Sequence, residues 1–193
     1  TAWNDPHAWV VGFKGGDNQA NHAHLDMGSF VLDALGTRWI VDLGRDNYNL
    51  PGYWDDDEGG ARWNYFRLNN FSHNTLTLNQ DLQRVRARAP IVEFDLTAGQ
   101  AFAIADLTQA YQPHAERVWR GVALRDSAIV IQDEIRWSGP QKKVVWNITT
   151  DAEILSDTRT ARLKKAGKTL YASLVTPNDA VFDIASAQQP PPE

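Results

Sequence analysis

Histidine is the residue type in this chain with the clearest capacity for chemistry. Two of its five histidines, His22 and His24, lie two positions apart in the segment NHAHLD at residues 21–26. On a β-strand, residues i and i+2 share a face, so this spacing predicts two imidazoles on one side, able to hold a metal or a substrate. The pair by itself leaves two interpretations open, a ligand site and ordinary polar surface.

Asp42 and His73 are the candidates that would complete such a site. Asp42 ends the apolar run at residues 39–41, and a carboxylate there is costly to bury unless it is paired or ligated. His73 lies where the chain returns from a long loop to a predicted strand. Two imidazoles and one carboxylate, with a fourth position for water, are a common zinc arrangement. We therefore expect Asp42 and His73 to converge with the HxH pair if a metal is bound.

The loop at residues 42–71 is unusually long and aromatic. Long loops in compact domains are often functional, and disordered segments are usually poor in aromatic residues. Tyr48 and Tyr53 are among the aromatic residues of this loop. Arg62 and Arg67 are candidates to attract a polyanion, although ion pairs with the acidic run at residues 55–58 are an equal alternative.

Composition excludes several classes of protein. The 193 residues carry a net charge of −5, whereas nucleic-acid binders normally present a strongly basic face, so no nucleic-acid partner is expected. No apolar run approaches the ~18 residues that span a bilayer, so no membrane-spanning helix is expected. The absence of cysteine excludes disulfides, thiolate metal sites and a cysteine nucleophile.

The hydrophobic pattern predicts an all-β fold, an antiparallel β-sandwich. Short β-prone runs alternate with turn signals at about 8–12-residue spacing, which is typical of sandwiches. Val118 and Val122 share one strand face, which Arg120 interrupts. We expect a fully buried strand at 127–133, a late strand at 180–184 and a short helical turn at 81–89. Residues 1–187 are expected to form one domain and 188–193 a Pro-rich tail.

Several separated blocks together resemble the heparinase II/III-like polysaccharide lyases. The matching blocks are NHAHLDMGSF at 21–30, VDLG at 41–44, RWNYFR at 62–67 and SHNT at 72–75. The resemblance is good over residues 1–135 and looser beyond. It implies the C-terminal β-sandwich domain of a toroid-plus-sandwich lyase, whose N-terminal helical toroid is missing from this chain.

The resemblance also implies roles for individual residues. It places a structural zinc ion, which supports the active site, on His24, Asp42 and His73, and a catalytic role on His22. Tyr48 and Tyr53 are the loop tyrosines that correspond to one lining the cleft in some members. The tyrosine acid/base and its Asn or His partner would come from the toroid, so the isolated domain is expected to be inactive or nearly so.

The function implied is cleavage of a uronic-acid-containing, acidic polysaccharide by β-elimination, in the bacterial periplasm or outside the cell. Two alternatives stay open from the sequence. A cupin-like metalloenzyme would use the same ligand types in an open, substrate-facing site, whereas a lyase of this kind would have a closed one. A non-catalytic carbohydrate-binding module would yield no unsaturated uronate from any polymer.

Overall fold

The structure, a computed structural model, describes residues 4–125 and 128–187. The expected Pro-rich tail at 188–193 lies outside these residues. The strands of the first half are β1 (Val10–Phe13), β2 (Gly16–Asp17), β3 (Phe30–Ala34), β4 (Thr37–Ile40), β5 (Leu76–Leu78), β6 (Arg88–Ala89) and β7 (Ile91–Asp95). Those of the second half are β8 (Phe102–Asp106), β9 (Ala115–Arg125), β10 (Ala128–Trp137), β11 (Val144–Trp146), β12 (Glu153–Ser156), β13 (Thr160–Lys165) and β14 (Lys168–Ser173).

All strand pairs are antiparallel within the described ranges, which confirms the predicted all-β architecture. The largest sheet has the order β10-β9-β8-β7, and two three-stranded sheets have the orders β1-β3-β4 and β12-β13-β14. Strands β5 and β11 pair, as do β2 and β6. The few helical segments are 3₁₀ turns at Ala61–Asn64, Phe66–Leu68 and Thr108–Tyr111.

Two apolar clusters hold these sheets together. In one, Trp39 and Phe30 pack with Leu163 of β13, and Ile131 of β10 packs against them. The other lies under β5 and β9 and consists of buried apolar residues, namely Met27, Leu76, Leu78, Ala87, Ala89, Ala105, Leu107, Ala110, Tyr111, Ala115 and Val118. Because the first cluster contains residues of β3 and the second contains residues of β5, each of these strands is anchored where it adjoins a loop.

Three expectations about local structure were wrong. Residues 81–89 form no helical turn, because burial alternates with a period of two from Gln83 to Ala89, as in an extended chain. Residues 180–184 form no strand, although the backbone N–H of Phe182 donates to the carbonyl of Thr158 at 2.6 Å. The strand expected to be fully buried, β10, alternates between exposed and half-buried residues, because one face packs and the other is open.

No helix in the described part of the chain is long and apolar enough to cross a membrane.

Candidate functional site

The two histidines of the HxH segment face in different directions. His22 lies in a turn and His24 in the irregular loop directly after it, neither of them on a strand, and we call residues 21–24 the HxH turn. His22 has a left-handed backbone with φ of 61°. His22 is exposed, with its ring centroid 5.3 Å from Trp54, whereas the half-buried His24 ring lies 5.2 Å from His73. The expectation that both imidazoles share a strand face was therefore wrong, and the turn gives each ring a separate environment.

Asp42 and His73 form a direct pair beside His24. Asp42 follows β4, and its Oδ2 lies 2.7 Å from Nδ1 of the fully buried His73. Burial is the largest single influence on Asp42 and opposes its ionisation, but the hydrogen bond and charge of His73, the backbone N–H of Gly44 and the nearby His24 together outweigh it and lower the pKa of the carboxyl to about 2. An ionised Asp42 accepts the Nδ1 proton of His73, so the unprotonated ring atom of a neutral His73 is Nε2.

Two imidazole rings in this cluster each have a nitrogen atom that could bind a further partner. Burial, followed by the neighbouring His73, lowers the pKa of His24 to about 4, so His24 is neutral at pH 7 with a lone pair available. The Nε2 atom of His73 is buried without a hydrogen-bond partner. Buried polar atoms are usually paired, so this atom requires a specific explanation.

The fit of this cluster to a metal ion rests on donor chemistry. Two imidazoles and a carboxylate are donor types that zinc prefers, and the unpaired Nε2 of His73 is an atom that a cation could satisfy. As placed, however, no three His, Cys, Asp or Glu side chains in residues 4–125 and 128–187 are grouped as a ready ligand set. The residue types therefore fit zinc. In this structure, however, Asp42 and His73 are hydrogen-bonded directly to each other.

Asn74, next to His73, connects the segments that carry the cluster. Its side-chain amide donates to the carbonyls of Phe30 and Val41, both at 2.8 Å. Its Oδ1 accepts the backbone N–H of Thr149 at 2.6 Å. Asn74 thus joins β3, the residue before Asp42 and the chain leading to β12, which fixes the position of the adjacent His73.

Arg120 supports the same region from the main sheet. Its fully buried guanidinium binds both carboxylate oxygens of Asp133, at 2.7 and 2.9 Å. It also donates to the carbonyls of Gly28 at 2.9 Å and Asn74 at 3.1 Å. In the sequence this residue is visible as a break in an apolar strand face. The structure explains the break, because Arg120 connects β9 to the two loops that carry the histidines.

An exposed aromatic surface lies on the other side of the HxH turn. We call His22, Tyr48 and Trp54 the aromatic platform. The ring centroids of Tyr48 and Trp54 are 5.3 Å apart, and the His22 ring is 5.9 Å from Tyr48. Trp54 is 55% exposed and Tyr48 38% exposed. Sequence analysis did not select Trp54, although the aromatic density of its loop was the signal that pointed there.

Tyr53 lies beneath this platform rather than on it. Its side chain is 1% exposed, with its ring 5.0 Å from Tyr48 and 5.1 Å from Trp54. Of the two loop tyrosines that the sequence suggested, Tyr48 is therefore the one that a substrate can reach. Tyr53 supports the rings above it.

Arg62 is buried, which conflicts with the predicted contact to substrate. It is 2% exposed and donates to the carbonyls of Tyr53 at 2.8 Å and Ala23 at 2.9 Å. Its guanidinium carbon lies 4.6 Å from the Tyr53 ring centroid. Arg62 therefore connects the HxH turn to the base of the platform, and the alternative of ion pairs to residues 55–58 is also wrong for it.

Three other charged residues of the loop, Arg67, Asp57 and Glu58, also bond to groups of the protein. Arg67 donates to the carbonyl of Leu43 at 3.0 Å instead of forming an acidic pair. Glu58 pairs with Arg84 at 3.1 Å, and Asp57 with Arg86 at 3.6 Å. The loop is consequently fixed by arginine–carbonyl bonds on its inner side and carries its acids on the outer side.

The chain is thus an antiparallel β-sandwich in which His24 and the Asp42–His73 pair lie beside an exposed aromatic platform. The sequence profile of the family described as Heparinase II/III-like, C-terminal, matches residues 4–189. This chain belongs to that family.

Solved structures of larger proteins share the fold. The chain is similar to the heparan sulfate lyase HepC from Pedobacter heparinus, with 19% identity, a TM-score of 0.68, and coverage of 86% of this chain and 25% of that one. It is also similar to a structure described as the Heparinase III-BT4657 gene product, with 19% identity, a TM-score of 0.67, and coverage of 81% and 24%. At these identities the likeness shows the fold alone.

The chain spans about a quarter of the length of those solved proteins. No curated protein matches it. The residue roles in this chain must therefore be argued from its own geometry.

Proposed function

We propose that this chain is the β-sandwich part of a polysaccharide lyase that cleaves uronic-acid-containing polysaccharide by β-elimination. The observation that carries the proposal is the division of the HxH turn. His24 lies beside the Asp42–His73 pair, whose imidazole is fully buried, while His22 projects onto an exposed aromatic platform. Family membership supports the same assignment.

The proposed β-elimination needs a base, an acid and a donor to the uronate carboxylate, and residues of the platform could supply some of these groups. A base removes the proton from C5 of the uronate, the electron pair forms a C4–C5 double bond, and the C4–O bond breaks as an acid protonates the leaving oxygen. A donor near the uronate carboxylate stabilises the charge that develops there. His22 is the group in this chain that would touch the carboxylate or share in the proton transfer, with Tyr48 positioning the sugar ring.

The proposed zinc ion has a structural role. His24, Asp42 and His73 would hold it, and when bound it would supply a fixed positive centre that joins the HxH turn to β4 and to the strand start after His73. The full burial of His73 closes one side of the proposed site, which supports the lyase over a cupin-like enzyme with chemistry on an open metal. Bacterial periplasm or the extracellular space is the location we propose, on family grounds.

The complete gene product should be assayed against a panel of uronic-acid polymers, with release of unsaturated uronate followed by ultraviolet absorbance. We expect turnover of at least one polymer, and loss of about 100-fold or more in kcat for His22→Ala, which is the range for a group active in proton transfer or charge stabilisation. The chain described above, assayed alone, should show little or no turnover.

The exposed platform favours one alternative, a non-catalytic carbohydrate-binding module. Stacking of a sugar on Tyr48 and Trp54 would need neither His22 nor a metal. If the complete gene product binds uronic-acid polymers but releases no unsaturated product from any of them, the binding module is the correct assignment.

A further inference from the structure

The hairpin formed by β13 and β14 is the basic part of an acidic chain. Residues 158–178 contain five lysine and arginine residues and no aspartate or glutamate, whereas the whole chain has a net charge of −5. We propose that the outward face of the sheet β12-β13-β14 is a second, non-catalytic binding surface for acidic polysaccharide, separate from the aromatic platform. Such a surface would hold one part of a polymer while another part occupies the platform.

The strand register assigns the side chains of this sheet to two faces. Leu163 of β13 pairs with Ile154 of β12 and Leu170 of β14, and all three belong to the apolar cluster around Trp39. Because successive residues of a strand point to opposite faces, the two neighbouring rows point outward. These outward rows are Leu155, Arg162 and Tyr171, and Glu153, Lys164 and Thr169.

Three of the five basic residues hold the hairpin in place. Lys165 and Lys168 both donate from Nζ to backbone carbonyls of the β3–β4 hairpin. Arg159 donates to five carbonyls of the segment 174–180, which follows β14. These bonds attach both ends of the β13–β14 hairpin to other parts of the chain, so less freedom is lost when a ligand binds its outward face.

Arg162 and Lys164 are the two basic residues that remain available to a ligand. Both lie in the outward rows, two positions apart on β13, so their Cα atoms are separated by about 7 Å. Within residues 4–125 and 128–187, neither side chain forms an ion pair. A guanidinium binds a carboxylate through two parallel hydrogen bonds, and an ammonium acts as a point charge. The pair is therefore suited to carboxylates of one polymer chain.

Tyr171 adds an aromatic ring to this face. It is the direct cross-strand partner of Arg162, so the two Cβ atoms lie about 5 Å apart. The residue is 65% exposed. A tyrosine ring offers an apolar face that packs on the C–H face of a pyranose, and its hydroxyl can form a hydrogen bond at the same time. An exposed ring next to a cation thus fits a sugar that carries a carboxylate.

The charge balance of this face favours a polyuronate over a nucleic acid. Glu153 lies next to Lys164 in the same outward row, so the two rows contain two cations and one acid. Nucleic-acid sites normally present a strongly basic face, and this face is only weakly basic. A bound polyuronate would keep its remaining sugars near the platform at a raised effective concentration.

Binding is tested on this chain with the exposed ring of the platform removed. In a Trp54→Ala background, titration calorimetry measures the affinity for a polyglucuronate oligosaccharide and for a neutral glucan of equal length. We expect polyglucuronate to bind and the neutral glucan to bind at least about tenfold more weakly. Affinity for polyglucuronate should fall about fivefold or more with Arg162→Gln plus Lys164→Gln and about threefold with Tyr171→Ala, and rise about twofold with Glu153→Gln.

Matched variants separate these residues from general effects of charge and exposure. Arg136→Gln plus Lys142→Gln removes the same charge from one exposed arginine and one exposed lysine outside the hairpin. Phe94→Ala removes an aromatic side chain of nearly equal exposure, 64%, from β7. Both controls should leave the affinity within about twofold of the Trp54→Ala background.

Kinetics of the complete gene product test the consequence for turnover, and this part rests on the proposed function. Arg162→Gln plus Lys164→Gln should raise KM for a long polyuronate substrate about fivefold and leave kcat unchanged, because the lost contacts are remote from the reacting bond. KM for a short oligosaccharide that fills only the platform should not change.

The outcomes separate this surface from the proposed function. Absence of polyglucuronate binding in the Trp54→Ala background, or an equal loss in the control variants, would overturn the second surface. Tighter binding of a single-stranded oligonucleotide with the same number of charges would overturn its assignment to polysaccharide. Binding that depends on Arg162, Lys164 and Tyr171, without unsaturated product from any uronic-acid polymer, would remove the lyase and leave the surface.

Discussion

The two sides of the HxH turn differ in how they are built. On the inner side, Asp42 and His73 form a direct pair beside His24, and the adjacent Asn74 bonds to Val41 and to the buried Arg120 of β9. On the outer side, His22, Tyr48 and Trp54 are exposed rings that contact mainly each other. The HxH turn thus separates two regions. We call the first the base: it consists of His24, Asp42 and His73 with the supporting Asn74 and Arg120. The second is the exposed aromatic platform, and we expect substitutions in the base to change stability and substitutions in the platform to change binding.

The largest expected effect of breaking the base comes from Arg120→Ala. The change leaves the Asp133 carboxylate, 17% exposed, without its bidentate partner and removes donors from the carbonyls of Gly28 and Asn74. Removing one member of a buried pair costs about 3–5 kcal/mol, so we expect a loss of that size in the free energy of unfolding, measured by urea titration.

The control is the double variant Arg120→Met with Asp133→Leu. Because it removes both charges, it should recover much of the stability that the single variant loses. A single variant that unfolds at the wild-type urea concentration would mean that Arg120 does not support the base.

The next largest effect is expected at the three histidines, whose alanine variants should differ in zinc content. We expect His24→Ala and His73→Ala to lose bound zinc and to lower stability, by about 2 kcal/mol for the buried His73, whereas His22→Ala keeps its zinc and its stability. Metal analysis by mass spectrometry and thermal unfolding with and without a chelator provide the measurements. Equal zinc loss in all three variants would contradict the division of the turn.

A smaller effect is expected at alkaline pH, from Tyr111 beneath β5. Burial raises the pKa of its hydroxyl above the ordinary value of 10.0, and the hydroxyl donates to the carbonyl of Leu76 at 2.7 Å. The unfolded chain therefore releases this proton first, so the stabilisation is complete below pH 10 and is lost as the pH rises above it.

Urea titrations between pH 8 and pH 11 test this prediction. Tyr111→Phe should lose stability at neutral pH through its missing hydrogen bonds, yet show a shallower decline above about pH 10 than the wild type. The exposed Tyr171→Phe is the matched control and should keep the wild-type slope. Parallel slopes for the wild type and Tyr111→Phe would show that Tyr111 titrates normally.

Much of the fold could be predicted from sequence, because period-two alternation identifies β9 and the all-β class directly. His22 and His24 show where such reasoning ends. Their spacing suggested a strand, but His22 has a left-handed backbone, which the residue types do not indicate, and the two rings have separate environments. Arg62 shows the same limit, because an arginine in an aromatic loop looks like an anion contact until its carbonyl acceptors, far along the chain, are known.

The smallest stability effect should come from the platform itself. Trp54→Ala removes an exposed ring whose described contacts are other rings of the loop, so we expect the free energy of unfolding to change by about 0.5 kcal/mol or less. Trp63→Ala is the informative partner, since Trp63 is buried with Leu25 and Val85, and its loss should cost about 3–5 kcal/mol. Urea titration of both variants measures the contrast. If Trp54→Ala destabilised the chain as much as Trp63→Ala, the platform would be part of the core, and its exposed rings would need a structural explanation instead of a binding one.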